Sequence, residues 1–156
     1  MTPQEEEMTR LGLLGLAPFV FGAAVMWTSP LIAPQWAALN IHTLVLSYGG
    51  IIAAFLAGAG AGAGLKNRSA ASLTGAMVAA LAAWFAIWPG GFLVFSVPAV
   101  QRYMILIAVF VWILLRDLRH TGDFPSWYGA LRTRLTFWAC ISLVLIMARL
   151  ISWRQF

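Results

Sequence analysis

The fold is decided by one long uncharged stretch, residues 11–65, which reads LGLLGLAPFVFGAAVMWTSPLIAPQWAALNIHTLVLSYGGIIAAFLAGAGAGAGL. It lies between Arg10 and Lys66 and contains no Asp, Glu, Lys or Arg over 55 residues. One transmembrane helix needs about 20 apolar residues, so this stretch is too long for one crossing and suits two. Pro30 and Pro34 interrupt it near the middle, because proline breaks helices. The sequence therefore predicts a helical hairpin within a bilayer.

The composition of the whole chain also favours a membrane environment. Of its 156 residues, 62% are hydrophobic and 10% are charged, whereas a soluble domain has about 45–50% apolar and about 25% charged residues. A soluble fold of this length could not bury so much apolar surface. The net charge of +5 is divided among short segments between apolar runs, which suits anionic lipid head groups. We therefore expect membrane lipids as partners and no nucleic acid.

The remaining apolar runs complete the predicted architecture. We expect an all-α, polytopic membrane protein, a single domain formed by one bundle of about five transmembrane helices. The last two predicted spans have shorter uncharged cores, so a re-entrant or interfacial segment is the alternative for each. The predicted spans are residues 11–27, 37–64, 70–88, 99–115 and 135–153, with a cytoplasmic loop at 116–134.

The distribution of Lys and Arg predicts the orientation of the bundle in the membrane. Five crossings place seven Lys and Arg residues on the side of the N-terminus and three on the other, which favours a cytoplasmic N-terminus. The acidic run Glu5–Glu7 does not resemble a targeting peptide, so we expect a multi-pass protein of a bacterial inner membrane. The cytoplasmic set is Arg10, Lys66, Arg68, Arg116, Arg119, Arg132 and Arg134, and the outer set is Arg102, Arg149 and Arg154.

Small residues recur at every fourth position in the second and third spans. Helices in lipid associate through close packing, which small side chains permit, so we predict a tight antiparallel hairpin. The alternating Ala and Gly of residues 57–64 either serve this packing or leave a slot for a lipid tail, a quinone or a partner helix. The predicted packing residues are Gly50, Ala54, Gly58, Gly62, Ala71, Gly75, Ala79 and Ala83.

Several motifs resemble a known family. They are the run YGGIIAAFLAG at residues 48–58, the segment PSWY at 125–128, the pair Leu131-Arg132 followed by Leu135-Thr136, and the opening LGLLGLAP at 11–18. On these motifs the chain resembles the transmembrane protein 69-like family, catalogued as domain of unknown function 3429. The resemblance implies a small multi-span membrane protein and brings no established activity.

The acidic residues all fall outside the predicted spans. Proton relays and cation-coupled carriers generally need ionisable groups within the membrane, so this distribution argues against a proton-driven carrier. His42 is the one histidine in a predicted span, without the Cys, His or carboxylate neighbours that a haem or metal site needs. The lone Cys140 is expected to be a packing residue. We therefore predict no cofactor, no metal and no enzymatic activity.

Polar residues that do enter the membrane collect near its outer side. Their positive charges lack an acidic partner there, so an anionic group, such as a lipid phosphate or a carboxylate from another subunit, would complete a site. The alternative is that each arginine reaches lipid head groups separately. These possible lipid, ligand or partner contacts are Asn40, His42, Gln101, Arg102 and Arg149.

The predicted inner loop ends in a segment suited to the membrane interface. Asp123 or Ser126 is expected to cap a short helix that continues into the last span. Aromatic rings and arginines would then lie along the lipid head groups, and a docking surface for a cytoplasmic partner is the alternative. The predicted anchor residues are Trp127, Tyr128, Arg132 and Arg134.

Taken together, these patterns predict a non-catalytic accessory or assembly subunit of a larger membrane complex, such as an energy-transducing one. Other membrane protein subunits and lipids would be its partners. A small channel or carrier for a neutral or anionic solute is the alternative.

Overall fold

A computed structural model of the protein describes residues 2–63, 70–88, 97–119 and 126–153, and for 70–72 the backbone alone. Within this part, 92% of the residues are helical and there are no strands, so the predicted all-α class is confirmed. Five helices follow one another: α1 (Pro3–Thr28), α2 (Gln35–Ala63), α3 (Ala70–Ile87), α4 (Ala99–Arg119) and α5 (Ser126–Trp153).

The helices form a closed ring. Each packs against the next in the chain, α5 returns to α1, and α2 also contacts α4 across the bundle. Successive helices run antiparallel, so α1 and α5 lie parallel to each other. We call the end that holds the start of α1 the N-terminal end; α2 and α4 finish there, and α3 and α5 begin there. The opposite end is the far end.

The start of α1 follows directly from its sequence. The Thr2 hydroxyl accepts a hydrogen bond of 3.3 Å from the Glu5 amide, as an N-cap residue does. Pro3 occupies the first turn, where it needs no donor. Glu5 and Glu6 place negative charge at the positive end of the helix dipole. The helix ends at Thr28, with Ser29 as its C-cap residue, and the following Pro30 prevents its continuation.

Large apolar side chains cover the outside of the bundle. Phe55, Met77 and Phe21 are 68%, 67% and 62% exposed, whereas several arginines are buried. Of the five helices, α1, α2, α4 and α5 are long and apolar enough to cross a membrane, while α3 is apolar over the shorter stretch Leu73–Ile87. Since an exterior of this kind is stable in hydrocarbon, the chain is a multi-pass membrane protein.

Most of residues 116–134, predicted as a cytoplasmic loop, is helical, and this includes the short helix predicted to continue into the last span. Helix α4 continues to Arg119, and α5 begins at Ser126 and runs unbroken into the last predicted span. Residues 120–125, including Asp123, lie outside the described part of the chain. Arg116, Asp117 and Arg132 of this segment pair with one another inside the bundle. Arg119 and Arg134 are exposed.

The predicted packing residues fall into two groups. Gly50 is buried, and a side chain there would meet Ile87 and, at 3.1 Å, the Ala83 carbonyl. Gly58 and Gly62 are exposed, with no atom within 4 Å of the position that Cβ would take, so they pack against nothing in the described chain. Ala79 and Ala83 are buried, Ala54 and Gly75 are half-buried, and the Ala71 side chain lies outside the described part.

Candidate functional site

At the far end, Arg102 caps the C-terminus of the neighbouring helix α3. Its Nε donates to the Ala86 carbonyl at 2.8 Å, and its Nη2 donates to the Ile87 carbonyl. These are the last carbonyls of α3, which have no partner within that helix. The guanidinium also lies at the negative end of the α3 dipole. Arg102 is 7% exposed, so it serves the protein interior rather than the lipid head groups.

Arg149 does the same for α1. Its Nη2 donates to the Ser29 carbonyl at 2.5 Å, and its Nε donates to the Met26 carbonyl at 3.3 Å. The guanidinium lies 5.7 Å from the centre of the Trp27 ring and 5.4 Å from that of Trp153, within the range of cation–π attraction. The sequence offered no carboxylate to pair with Arg102 and Arg149. The carbonyl groups at the ends of α3 and α1 accept their hydrogen bonds instead.

The other three polar residues predicted on this side do not join the arginines in one site. Asn40 is exposed and donates to Trp36 of its own helix at 3.0 Å. Gln101 is exposed. His42 is half-buried beside Tyr103, whose hydroxyl donates to the His42 carbonyl at 2.8 Å. The five residues are therefore spread over separate contacts.

A buried charged cluster lies at the N-terminal end, and we call it the RDR cluster: Arg116, Asp117 and Arg132. Arg132 Nε lies 3.3 Å from Asp117 Oδ2, and Arg116 Nη2 lies 3.6 Å from Asp117 Oδ1. The three side chains are 8%, 4% and 6% exposed in chain order. Two guanidinium groups and one carboxylate leave a net charge of about +1 in an apolar bundle.

Small residues of α2 make room for the RDR cluster. Arg116 Nη2 donates to the Ala57 carbonyl at 3.1 Å. A side chain at Gly60 would collide with Arg116 Nη2 and would stand 2.9 Å from Asp117 Oδ1. The cluster was missed at the sequence level because its members were assigned to a loop. The sequence did contain a signal for the cluster. Arg116-Asp117 and Arg132 lie on either side of the short connection between α4 and α5, and α2 is rich in glycine.

The predicted interfacial anchor is accordingly corrected at one position. Arg132 was expected to meet anionic lipid, but it is buried and bound to Asp117 because α5 turns that face inward. Arg134 is exposed, and Trp127 and Tyr128 are half-buried with their rings in edge contact at 6.3 Å. The anchor role of Trp127, Tyr128 and Arg134 stays a prediction.

An apolar cleft lies beside the RDR cluster, between α1, α2 and α5. Its volume is about 440 Å³, within the usual range of ligand pockets. Among the residues that line it, Phe19 and Phe110 are buried, whereas Met8, Leu11 and Phe55 are exposed. Gly12 and Gly15 line the cleft from α1, on the same helix as Met8, Leu11 and Phe19.

The wall of the cleft has one polar patch, on α5. Arg132 and Thr136 both line the cleft and are 5% and 3% exposed. Arg132 Nη2 and Thr136 Oγ1 are buried without a hydrogen-bond partner. Unsatisfied buried donors are costly, so the patch is suited to a ligand that brings hydrogen-bond acceptors. In the described ranges, no group of three His, Cys, Asp or Glu residues could hold a metal ion.

The ring of apolar helices defines a class of protein. It is a small multi-pass membrane protein without a sizeable domain in the described residues outside the bundle. The chain belongs to the family described as "Protein of unknown function (DUF3429)", which matches residues 4–148. The family resemblance noted from the sequence motifs is thereby confirmed.

A curated relative is similar along most of the chain. It is Transmembrane protein 69 of Xenopus tropicalis, 33% identical over 139 residues, which cover 86% of this chain and 51% of the relative. The chain thus spans about half the length of that relative. No solved structure matches this chain.

Proposed function

We propose that this protein is a non-catalytic accessory or assembly subunit of a larger membrane complex, such as an energy-transducing one. We place it in a bacterial inner membrane with the N-terminus in the cytoplasm. Its contribution would be contact with other membrane proteins and with lipid rather than turnover of a substrate.

The observation that carries this proposal is how the charged side chains within the bundle are used. Arg102 and Arg149 donate to helix-end carbonyls, and Asp117 lies between two arginines in the RDR cluster. A buried group that is engaged in holding helices together is not available to act on a substrate. The described interior is thus organised for rigidity.

The open part of α2 supports a partner helix. Gly58 and Gly62 lie one turn apart and face outward into space that no described atom fills. Each exposed glycine weakens a helix by up to about 1 kcal/mol relative to alanine, and no contact with the described residues offsets that cost. Since small residues permit close approach between helices in lipid, a helix of another subunit is the occupant that fits this face.

Co-purification tests the proposal. We expect the tagged protein, extracted from native membranes in mild detergent, to carry a membrane protein in near-equal amount. Gly58→Leu with Gly62→Leu should reduce that partner about tenfold, which corresponds to about 1.4 kcal/mol of interface energy. Ala108→Leu, a matched enlargement on the exposed side of α4, should leave it unchanged. Recovery as a homo-oligomer without other proteins, or equal loss in both variants, would contradict the proposal.

A small channel or carrier is the second candidate, and no described contact favours it. Such a protein would need Arg102, Arg149 and the glycines of α2 along one path. Arg102 contacts α3 and Arg149 contacts α1, while Gly58 and Gly62 face away from the bundle.

A further inference from the structure

We propose that the connection between α1 and α2, residues 29–34, is inserted into the lipid interface at the far end of the bundle. Leu31 and Ile32 lie there among the upper parts of the acyl chains, so the partner of this surface is the membrane itself. This inference depends neither on the proposed role as an accessory subunit nor on which end of the bundle faces the cytoplasm.

The connection exposes more apolar surface than a loop in water would. Leu31 is 93% exposed and Ile32 is 82% exposed, and residues 29–34 contain no charged side chain. Trp27 and Trp36, on either side of the connection, are also exposed. Neighbouring apolar side chains of this size are costly to leave in water, whereas tryptophan beside aliphatic side chains is typical of a membrane interface.

The length of α1 places the connection at the boundary of the hydrocarbon core. Arg10 is exposed near the N-terminal end, and residues 11–28 of α1 extend about 27 Å beyond it at 1.5 Å per residue. A hydrocarbon core is about 30 Å thick. With Arg10 among the head groups at one side, α1 therefore ends close to the other side of the core.

The last helix gives the same depth independently. Residues 135–153 of α5, which follow the exposed Arg134, extend about 28 Å. Trp27 Nε1 donates to the Leu145 carbonyl at 3.1 Å, and Arg149 donates to the Ser29 carbonyl. The start of the connection thus lies level with the last turns of α5, at the membrane boundary rather than out in water.

The backbone of the connection is suited to a medium with little water. Pro30 and Pro34 have no N–H group that needs an acceptor. The Ser29 amide donates within the last turn of α1 at 3.2 Å, and the Ile32 amide donates to the Thr28 carbonyl at 2.9 Å. Because unpaired backbone groups are costly in lipid, these features lower the cost of inserting the connection.

Site-directed spin labelling in phosphatidylcholine vesicles tests the proposal. Cys140→Ala removes the native cysteine, and a nitroxide label is attached at Leu31→Cys or, in a second protein, at Ile32→Cys. Since both side chains are exposed, neither label should disturb the fold. Power-saturation EPR compares the collisions of each label with oxygen, which concentrates in lipid, and with a water-soluble nickel complex supplied on both sides of the membrane.

Two matched positions on α1 calibrate the measurement. Gln4→Cys, exposed in the first turn, is the reference for water, and Phe21→Cys, exposed within the apolar part of the helix, is the reference for hydrocarbon. We expect the ratio of oxygen to nickel collisions at Leu31 and Ile32 to exceed that at Gln4 about tenfold, since interfacial insertion excludes the nickel complex.

Two results would overturn the proposal. A ratio equal to that at Gln4 would mean that the connection lies in water. Few collisions with either reagent would mean that a protein covers Leu31 and Ile32, whether a second copy of this chain or a different partner.

Discussion

At the scale of single residues, the arginines in this bundle differ in their acceptors. Arg102 and Arg149 bind carbonyls at helix ends, which carry only partial negative charge. Arg116 and Arg132 share a full negative charge on Asp117. A carboxylate among two buried guanidinium groups is difficult to remove, because the two positive charges would then lie together in a low-dielectric interior.

Asp117→Asn is the direct test of this reasoning. We expect it to lower the free energy of unfolding by about 3–5 kcal/mol, the usual cost of breaking a buried ion pair by removing one partner. Titration with a denaturing detergent in mixed micelles measures the change. Arg134→Gln, at an exposed position, should change it by less than about 0.5 kcal/mol.

A double-mutant cycle separates the ion pair from general damage. Combining Asp117→Asn with Arg132→Leu should cost clearly less than the sum of the two single changes, since Arg132 no longer leaves an uncompensated charge. Additive costs would mean that Asp117 and Arg132 do not interact energetically.

At the scale of elements, α2 is the central helix of the bundle. It contacts α1, α3 and α4, and its glycines are divided by face. Gly49 and Gly50 face neighbouring helices, and Gly60 faces the RDR cluster. Gly58 and Gly62 face outward. One helix thus combines close internal packing with an open outer surface.

Equal substitutions on the two faces should have opposite consequences for stability. Gly50→Leu places a side chain against Ile87 and the Ala83 backbone, so we expect a loss of about 1–3 kcal/mol from overpacking. Gly58→Leu meets open space and should cause no loss in the isolated protein. Thermal unfolding of both variants in the same detergent measures the difference, and similar melting temperatures would show that the faces are assigned wrongly.

At the scale of the whole molecule, the number of crossings decides where the two termini lie. Four helices are long and apolar enough to cross, and α3 is apolar over Leu73–Ile87. That stretch spans about 22 Å, shorter than a typical hydrocarbon core of about 30 Å. Its end at the far side is held by Arg102, which favours a fifth crossing.

Reporter fusions at both termini test this topology. Five crossings should place a cytoplasmic reporter at the N-terminus in its active compartment and the same reporter at the C-terminus in the opposite one. The Lys and Arg distribution predicts that the N-terminus is the cytoplasmic one. Both termini in the same compartment would mean that α3 does not cross, and a reversed result would contradict the orientation alone.

The sequence by itself determined that the helices are surrounded by a lipid bilayer, and how many helices there are. Uncharged runs of fixed length and interrupting prolines depend only on local composition and on the thickness of a bilayer, so residues 11–65 were sufficient to predict a membrane hairpin. The N-cap at Thr2 and the break at Pro30 are local in the same sense.

Only the tertiary structure decided what the charged residues and glycines do. Asp117 was expected in a cytoplasmic loop and Arg132 at the lipid interface, but they meet because α4 and α5 pack against each other, which no local pattern records. The division of the α2 glycines likewise depends on which neighbour lies on each face, and the cleft depends on the spacing of three helices. Contacts between residues far apart in the chain are set by the packing of whole helices, whereas composition fixes only the medium in which they pack.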